Sequence, residues 1–162
     1  MNWKVELARW LAPGIAAYAG IRALLAIFSE QFQLLKIRFL RNHIIICGLG
    51  RKGLLLCQMF KNHGFQVVVI EQNEKNDKIK QSRDNGSIVL VGNATLPSIL
   101  SKSGLNKAKH LFAVCGSDGI NAEIAILARE FITITAKRKK PLSCTVHIED
   151  PQLCRLLKER EF

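Results

Sequence analysis

Three glycines at positions 48, 50 and 53 have the spacing with which a chain can hold a phosphate group. They lie in residues 43–53, HIIICGLGRKG, directly after a run of apolar residues. In a G-x-G-x-x-G turn the first glycine makes a tight turn, the second lets a pyrophosphate approach the backbone, and the third lets helix and strand pack closely. The dipole of the following helix favours the same phosphate, and Arg51 would add a charged contact. The segment predicts a nucleotide site that includes Gly48, Gly50, Arg51 and Gly53.

A carboxylate is expected where the second strand of such a fold ends. Glu71 follows the apolar run VVVI and precedes Gln72, Asn73 and Glu74, with no arginine among them. A carboxylate at this point accepts hydrogen bonds from both ribose hydroxyls of an adenosine and repels a 2′-phosphate. NAD or another adenine nucleotide is therefore favoured over NADP. The alternative is an exposed glutamate that caps a helix.

Two further turns are expected beside the glycines. Residues 92–95, GNAT, offer a tight turn and small side chains beside an adenine ring, and residues 115–118, CGSD, offer open backbone near the phosphates. Ligands of open parallel sheets bind beyond the carboxyl ends of the strands, where the strand order reverses. Asp118 is expected chiefly to cap the helix that follows it.

The elements that must position these turns alternate regularly. Apolar runs predict strands at 43–47, 66–71, 87–91, 110–114 and 143–148. Helices are predicted at 51–63, 74–84, 97–103 and about 119–131, with Gly64 ending the first and Thr95 capping the third. Asp150 and Pro151 predict the N-cap and first residue of one more helix. Five such units predict an α/β fold, a Rossmann-like doubly wound parallel sheet over residues 43–162.

Residues 1–42 differ in character from the rest of the chain. Residues 10–29 contain one charge, Arg22, and are long enough to cross a bilayer. An arginine near the centre opposes insertion by roughly 2.5–3.5 kcal/mol. A basic cluster follows, on the side that the positive-inside rule assigns to the cytosol. We expect a hydrophobic helix that is membrane-proximal or membrane-spanning, followed by a basic linker. A helix packed on the domain or on a partner, and a signal peptide, are the alternatives.

Composition limits the other function classes. The five cysteines form no C-x-x-C pair, which fits a reducing compartment and opposes a disulfide framework, and the four scattered histidines predict no metal site. The net charge of +11 includes the basic run 137–140 and the cluster at 36–41. These could hold nucleic acid or an anionic membrane face, but a solvated loop is favoured for 137–140 and no nucleic-acid partner is expected.

Catalysis is not expected. The single tyrosine, Tyr18, precedes the predicted sheet, so no Y-x-x-x-K motif follows the fourth strand. The sheet takes up nearly all of the chain after residue 43, which leaves no second domain to place a substrate against a redox cofactor. The alternative is the nucleotide-binding domain of an NAD-dependent oxidoreductase whose substrate domain lies on another chain.

Several motifs in order resemble one family. GLGRKG, the acid that ends VVVIE, GNAT, LNKAKHLFAVCGSDGINAEIAILAR and VHIEDPQLCRLL are together similar to the TrkA-N, or regulator of K⁺ conductance (RCK), domain over about residues 43–158. The resemblance implies a Rossmann-like domain that binds NAD(H) or ATP/ADP, or in some members cations. By motif it implies these contacts: phosphates at Gly48, Gly50, Arg51 and Gly53, ribose at Glu71, adenosine at Asn93 and Ala94, and a fourth-strand side at Cys115 and Gly116. Asn93 stands where the family usually has aspartate, which changes the ligand charge that is tolerated.

The resemblance also implies a role. Members regulate potassium channels and transporters, so a regulatory domain without catalysis is expected, on the cytoplasmic side of a membrane. Its expected partners are a membrane channel or transporter subunit and further copies of the domain, as a homodimer or larger ring. Residues 7–43 resemble the connection between membrane and cytosol in channel-like relatives, and the chain is expected to be one piece of a channel subunit or a shortened relative.

Overall fold

The chain divides into two compact units, residues 1–35 and 36–162. The computed structural model describes residues 3–135 and 142–159. Helix α1 (Trp3–Phe39) contains Pro13, and its exposed apolar side chains in the first unit include Leu11, Ile15, Tyr18, Ile21 and Leu24. No helix in the part of the chain that the structure describes has both the length and the apolar character that crossing a membrane requires.

The second unit contains a five-stranded parallel sheet. Its strands are β1 (Ile44–Cys47), β2 (Val67–Glu71), β3 (Ile88–Val91), β4 (His110–Ala113) and β5 (Ser143–Val146), in the spatial order β3-β2-β1-β4-β5. Ile44 pairs with Val67 on one side and with His110 on the other. The order reverses at β1, so the predicted doubly wound Rossmann-like sheet is confirmed.

Helices cover both faces of this sheet. They are α2 (Arg51–Asn62), α3 (Lys78–Asp84), α4 (Pro97–Lys102), a short 3₁₀ helix (Leu105–Lys107), α5 (Asp118–Thr135) and α6 (Pro151–Glu159). All four residues of β1 are buried, as expected for a parallel strand covered on both sides. Alternate residues face opposite ways. Ile44 and Ile46 pack with Cys57 of α2 and Ile79 of α3, and α5 packs against β4 and β5.

Polar side chains change one predicted helix start and one predicted helix cap. Helix α3 begins at Lys78 and not at residue 74, because the side chains of Asn73 and Asn76 accept hydrogen bonds from the backbone N–H groups of Lys75 and Lys78. Such local bonds hold turns in place of a helix. Leu96 occupies the N-cap of α4, so the prediction for Thr95 is wrong. The hydroxyl of Thr95 donates to Asn93 instead.

The predicted ends of two other helices are confirmed. Gly64 follows α2 with a φ of +79°, a left-handed conformation that glycine adopts without strain. The Asp150 carboxylate accepts hydrogen bonds from the N–H groups of Gln152 and Leu153, at 2.8 and 3.4 Å, as an N-cap should. Helix α5 extends beyond the predicted end at 131, to Thr135. The basic run 137–140 lies outside the described residues.

Candidate nucleotide-binding site

A cavity of about 690 Å³ opens beyond the carboxyl ends of the strands. Residues that follow each of the five strands line it, as the rule for open parallel sheets predicts. Eight of the nine predicted site residues lie on its wall: Gly48, Gly50, Arg51, Glu71, Asn93, Ala94, Cys115 and Gly116. Gly53, the ninth, does not line the cavity but packs against the turn that does.

The three glycines each meet a different steric requirement. Gly48 has a φ of +97°, and a Cβ there would lie 3.0 Å from the backbone of Cys115. A Cβ on Gly53 would lie 1.9 Å from the carbonyl oxygen of Gly48, so only glycine lets α2 approach the turn this closely. A Cβ on Gly50 would meet no heavy atom of the described residues within 4 Å. Gly50 therefore leaves open space beside the cavity, where a ligand can approach the backbone.

The start of α2 is suited to an anion. Gly50 is its N-cap and has no side chain to accept the first N–H groups, and within the described structure the first turn contains no acidic residue. The first N–H groups of a helix lack partners within the helix and carry the positive end of its dipole. Arg51 and Lys52 add two cations on the cavity wall. This end of the cavity therefore favours a phosphate or another anion.

Glu71 also holds the glycine turn in place, which the sequence reasoning missed. One carboxylate oxygen accepts a hydrogen bond from the Leu49 N–H and the other from the Asn73 N–H, both at 2.8 Å. The Asn76 amide donates to the Leu49 carbonyl at 3.1 Å, so the middle of the turn is held from both sides. Each carboxylate oxygen has two acceptor positions, and each retains one for a ribose hydroxyl.

Asn93 and Ala94 form the wall on the β3 side of Glu71. The Asn93 side-chain oxygen accepts hydrogen bonds from the N–H and the hydroxyl of Thr95, both at 2.9 Å. The N–H of Gly92 donates to the Glu71 carbonyl at 2.9 Å, which joins the two turns. An aspartate at position 93, the residue usual in the family that the sequence resembles, could accept the same two bonds. Asn93 therefore changes the charge of the cavity wall and preserves its turn.

Asn121, at the start of α5, joins the turns that follow β4 and β5. Its buried amide accepts a hydrogen bond from the Cys115 N–H at 2.7 Å and donates to the carbonyls of Cys115 and His147, at 3.0 and 2.9 Å. The sequence reasoning placed it in the helix but missed this role. Burial, and secondarily the Glu71 carboxylate, raises the pKa of Cys115 to about 11, so its thiol is protonated at neutral pH.

Asp118 does not act as the helix cap that was predicted. It is the first residue of α5, and its carboxylate accepts hydrogen bonds from the N–H groups of Glu149 and Asp150, at 2.9 and 2.7 Å. The prediction is wrong because the loop after β5 supplies two N–H donors that compete with those of its own helix. Asp118 thereby fixes the segment that leads into α6.

A polar cluster on the cavity wall was also missed. The Lys52 ammonium lies 3.0 Å from the Glu149 carboxylate, which is 3.1 Å from the His147 imidazole, and Lys52 and His147 also contact each other. These hydrogen bonds, Lys52 first and His147 second, lower the pKa of Glu149. The signal in the sequence was the polar segment HIED directly after the last strand.

Comparison with known proteins agrees with this architecture. Residues 44–160 match the sequence profile of the TrkA-N domain. Potassium channel protein 1 of Methanocaldococcus jannaschii is 38% identical over 121 residues, which cover 70% of this chain and 36% of that protein. The chain therefore spans about a third of that relative's length.

Solved structures of the GsuK channel share the fold. The chain superposes on GsuK bound to NAD with a TM-score of 0.57 at 19% identity, covering 94% of this chain and 29% of that one. GsuK bound to ADP gives a TM-score of 0.55 at 19% identity, covering 94% and 42%. At this identity the likeness concerns the fold.

Proposed function

Because the chain belongs to the TrkA-N domain family, we propose that it is a nucleotide-sensing regulatory domain that controls potassium transport across a membrane and catalyses no reaction. Its assignment to potassium transport is supported by the similarity to potassium channel protein 1 of M. jannaschii. The observation that carries the sensing role is the cavity, where an uncapped helix start and a carboxylate with free acceptor positions lie on one wall.

The proposed ligand is an adenine nucleotide, NAD(H) or ATP/ADP. Its phosphates would lie against Gly48, Gly50 and Arg51, where α2 begins, with Gly53 allowing that helix to pack closely. Glu71 would hold the ribose, and its charge disfavours the 2′-phosphate of NADP. Asn93 and Ala94 would contact the adenosine, with Cys115 and Gly116 on the fourth-strand side. GsuK, which shares this fold, has been solved with NAD and with ADP.

Regulation requires that the nucleotide bind two states of the assembly with different affinity. We propose that these domains pair, as a homodimer or a larger ring, and that nucleotide changes the relative orientation of the paired domains. Residues 30–41 would pass that change to a membrane channel or transporter subunit, with the domain on the cytoplasmic side. The hypothesis is wrong if saturating nucleotide leaves both the conformation and the potassium conductance of the assembly unchanged.

Calorimetric titration of the full chain with NAD, NADH, NADPH, ATP and ADP tests the site. The sharpest variant is Gly50→Ala, because its methyl group meets no atom of the described residues and its backbone angles of −75° and −165° suit alanine. We expect the fold to persist and nucleotide affinity to fall by about tenfold or more, the cost of losing a hydrogen bond to a charged group.

The matched control is Gly119→Ala, in the first turn of α5 and off the cavity wall. Apart from its chain neighbours and the backbone of its own helix, a Cβ there would come no closer than 3.9 Å to the described residues. It should bind as the unmodified chain does. Equal affinity in Gly50→Ala and Gly119→Ala would place the ligand elsewhere, and absence of binding by all five nucleotides would refute the sensing role.

A further inference from the structure

The amino ends of the strands carry an excess of positive charge that the nucleotide site does not use. We define the amino edge as the segments that enter β1 to β4, residues 36–43, 61–66, 83–87 and 102–109. They contain one acidic residue, Asp84, and eight basic ones: Lys36, Arg38, Arg41, Lys61, Arg83, Lys102, Lys107 and Lys109. The run 137–140 precedes β5 in sequence but lies outside the described residues.

Backbone hydrogen bonds hold these segments side by side. The Asn42 N–H donates to the Lys107 carbonyl at 2.9 Å, and the Lys109 N–H donates to the His43 carbonyl at 2.8 Å. On the other side of β1, the Ile44 N–H donates to the Gln66 carbonyl at 2.9 Å. The segments before β2, β1 and β4 therefore form one continuous surface, because their strands are neighbours in the sheet.

Most cations of this surface are exposed to solvent, without carboxylate partners among the described residues. Arg38, Arg41, Lys102 and Lys109 are exposed, and none of the eight basic residues forms an ion pair with an acidic side chain among residues 3–135 and 142–159. Phe39 stands among them with 77% of its surface exposed. An exposed aromatic ring beside unpaired cations is typical of a surface that meets the headgroup region of a membrane.

Helix dipoles account for only part of the charge. A cation in the last turn of a helix is stabilised by the dipole, and this applies to six of the eight: Lys36 and Arg38 in α1, Lys61 in α2, Arg83 in α3, Lys102 in α4 and Lys107 in the 3₁₀ helix. Arg41 and Lys109 lie outside helices altogether, so this effect does not explain them.

We propose that the amino edge docks on an anionic lipid surface. The ligand chemistry is that of acidic phospholipid headgroups, which attract juxtamembrane cations one by one without fixed geometry. Phe39 enters the interface beside them. This inference does not depend on nucleotide binding, because the cavity lies at the opposite ends of the strands.

The test is partition of the full chain onto vesicles of phosphatidylcholine alone and of phosphatidylcholine mixed with phosphatidylglycerol. The ratio of the two partition coefficients removes any apolar contribution of α1, which both kinds of vesicle share. The double variant Arg41→Gln, Lys102→Gln should lower this ratio roughly 25-fold, about fivefold per cation. Both residues are exposed, and circular dichroism should show an unchanged fold.

The matched control is Lys75→Gln, Lys80→Gln, which removes the same charge from exposed positions outside the amino edge. Its ratio should stay near that of the unmodified chain. An equal loss in both variants would mean that net charge alone drives binding, and it would overturn the proposal. The proposal would also be overturned if the chain showed no preference for anionic vesicles. Release of the chain from these vesicles by a short DNA duplex, with a steep dependence on salt, would overturn it as well.

Discussion

The side chains at the two edges of this sheet are held differently. At the carboxyl edge, the side chains of Glu71, Asn121 and Asp118 each bond to the backbone of turns that follow other strands. At the amino edge a buried side chain joins two segments, since the His43 imidazole hydrogen-bonds the Ser103 carbonyl at 2.9 Å, but the basic side chains make looser contacts, such as the Lys107 ammonium 2.9 Å from the Arg38 carbonyl and the Lys109 ammonium 4.9 Å from the Phe65 ring centre.

This difference fits the two kinds of recognition that we propose for the edges. A small ligand needs donors and acceptors in fixed positions, so its site is built from turns that side chains hold rigidly. Attraction to an extended charged surface depends on the number of charges and tolerates movement. We therefore expect substitutions at the carboxyl edge to affect one another and those at the amino edge to add independently.

The largest expected effect tests how tightly the carboxyl edge is packed. Gly53→Ala places a Cβ 1.9 Å from the Gly48 carbonyl oxygen, a backbone atom that cannot move aside as the end of a flexible side chain could. The free energy of unfolding should fall by at least about 3 kcal/mol, the upper end of the cost of overpacking. Urea denaturation measures it. Gly119→Ala, with no close contact, should be unchanged or slightly more stable, and a stable Gly53→Ala would contradict the close helix–turn packing.

The next prediction compares the edges directly. Asn121→Ala removes the buried amide that bonds to Cys115 and His147, and leaves one half-buried N–H and two carbonyls without this partner. The free energy of unfolding should fall by about 2 kcal/mol. Lys102→Gln at the amino edge should change it by less than about 0.5 kcal/mol. Thermal denaturation of both variants measures the two losses, and similar losses would show that Asn121 contributes no more to stability than an exposed lysine of the amino edge.

A third prediction concerns the independence of the edges. Because burial raises the pKa of Cys115 to about 11, alkylation of its thiol should be slow at pH 8 and should accelerate about tenfold per pH unit toward pH 11. Mass spectrometry after iodoacetamide treatment follows this residue. Adenine nucleotide should slow the reaction, since Cys115 lines the cavity, whereas anionic vesicles should not. Protection of Cys115 by vesicles would mean that lipid bound at the amino edge changes the carboxyl edge, or that lipid covers the carboxyl edge instead.

The sequence predicted the sheet and most of the cavity wall because both depend on local signals. Buried parallel strands appear as short runs of β-branched residues, and the glycine spacing marks the turn after β1. Since parallel strands end at a shared edge, the residues after each run identify the wall without knowledge of the tertiary contacts. Glu71, Asn93 and Cys115 were found in this way.

The interactions that hold the wall could not be predicted in the same way. The bond from Leu49 to Glu71 joins residues 22 apart, and that from Glu149 to Asp118 joins residues 31 apart. Local spacing assigns an aspartate at a helix start to its own helix, which is why Asp118 was predicted as a cap. The start of α3 was predicted too early for a related reason. The hydrogen bonds by which the Asn73 and Asn76 side chains hold turns cannot be recognised from helical periodicity.

The smallest expected effect concerns the charge balance of the carboxyl edge itself. Glu149 pairs with Lys52 at 3.0 Å, so a phosphate at the start of α2 must compete with this carboxylate for the ammonium. Glu149→Gln should therefore tighten phosphate-bearing ligands about twofold to fivefold, since both side chains are exposed and such pairs are weak. Hydrogen bonds lower the pKa of Glu149 from the ordinary glutamate value of 4.5, so its side chain is charged above that pH. The competition should therefore persist above pH 4.5 and be lost only as the pH falls below it. Calorimetric titration of the unmodified chain and of Glu149→Gln with ADP, repeated with adenosine, distinguishes competition for Lys52 from a change in the shape of the cavity wall. A gain for ADP alone supports the competition, and an equal gain for adenosine would assign the effect to the shape of the wall.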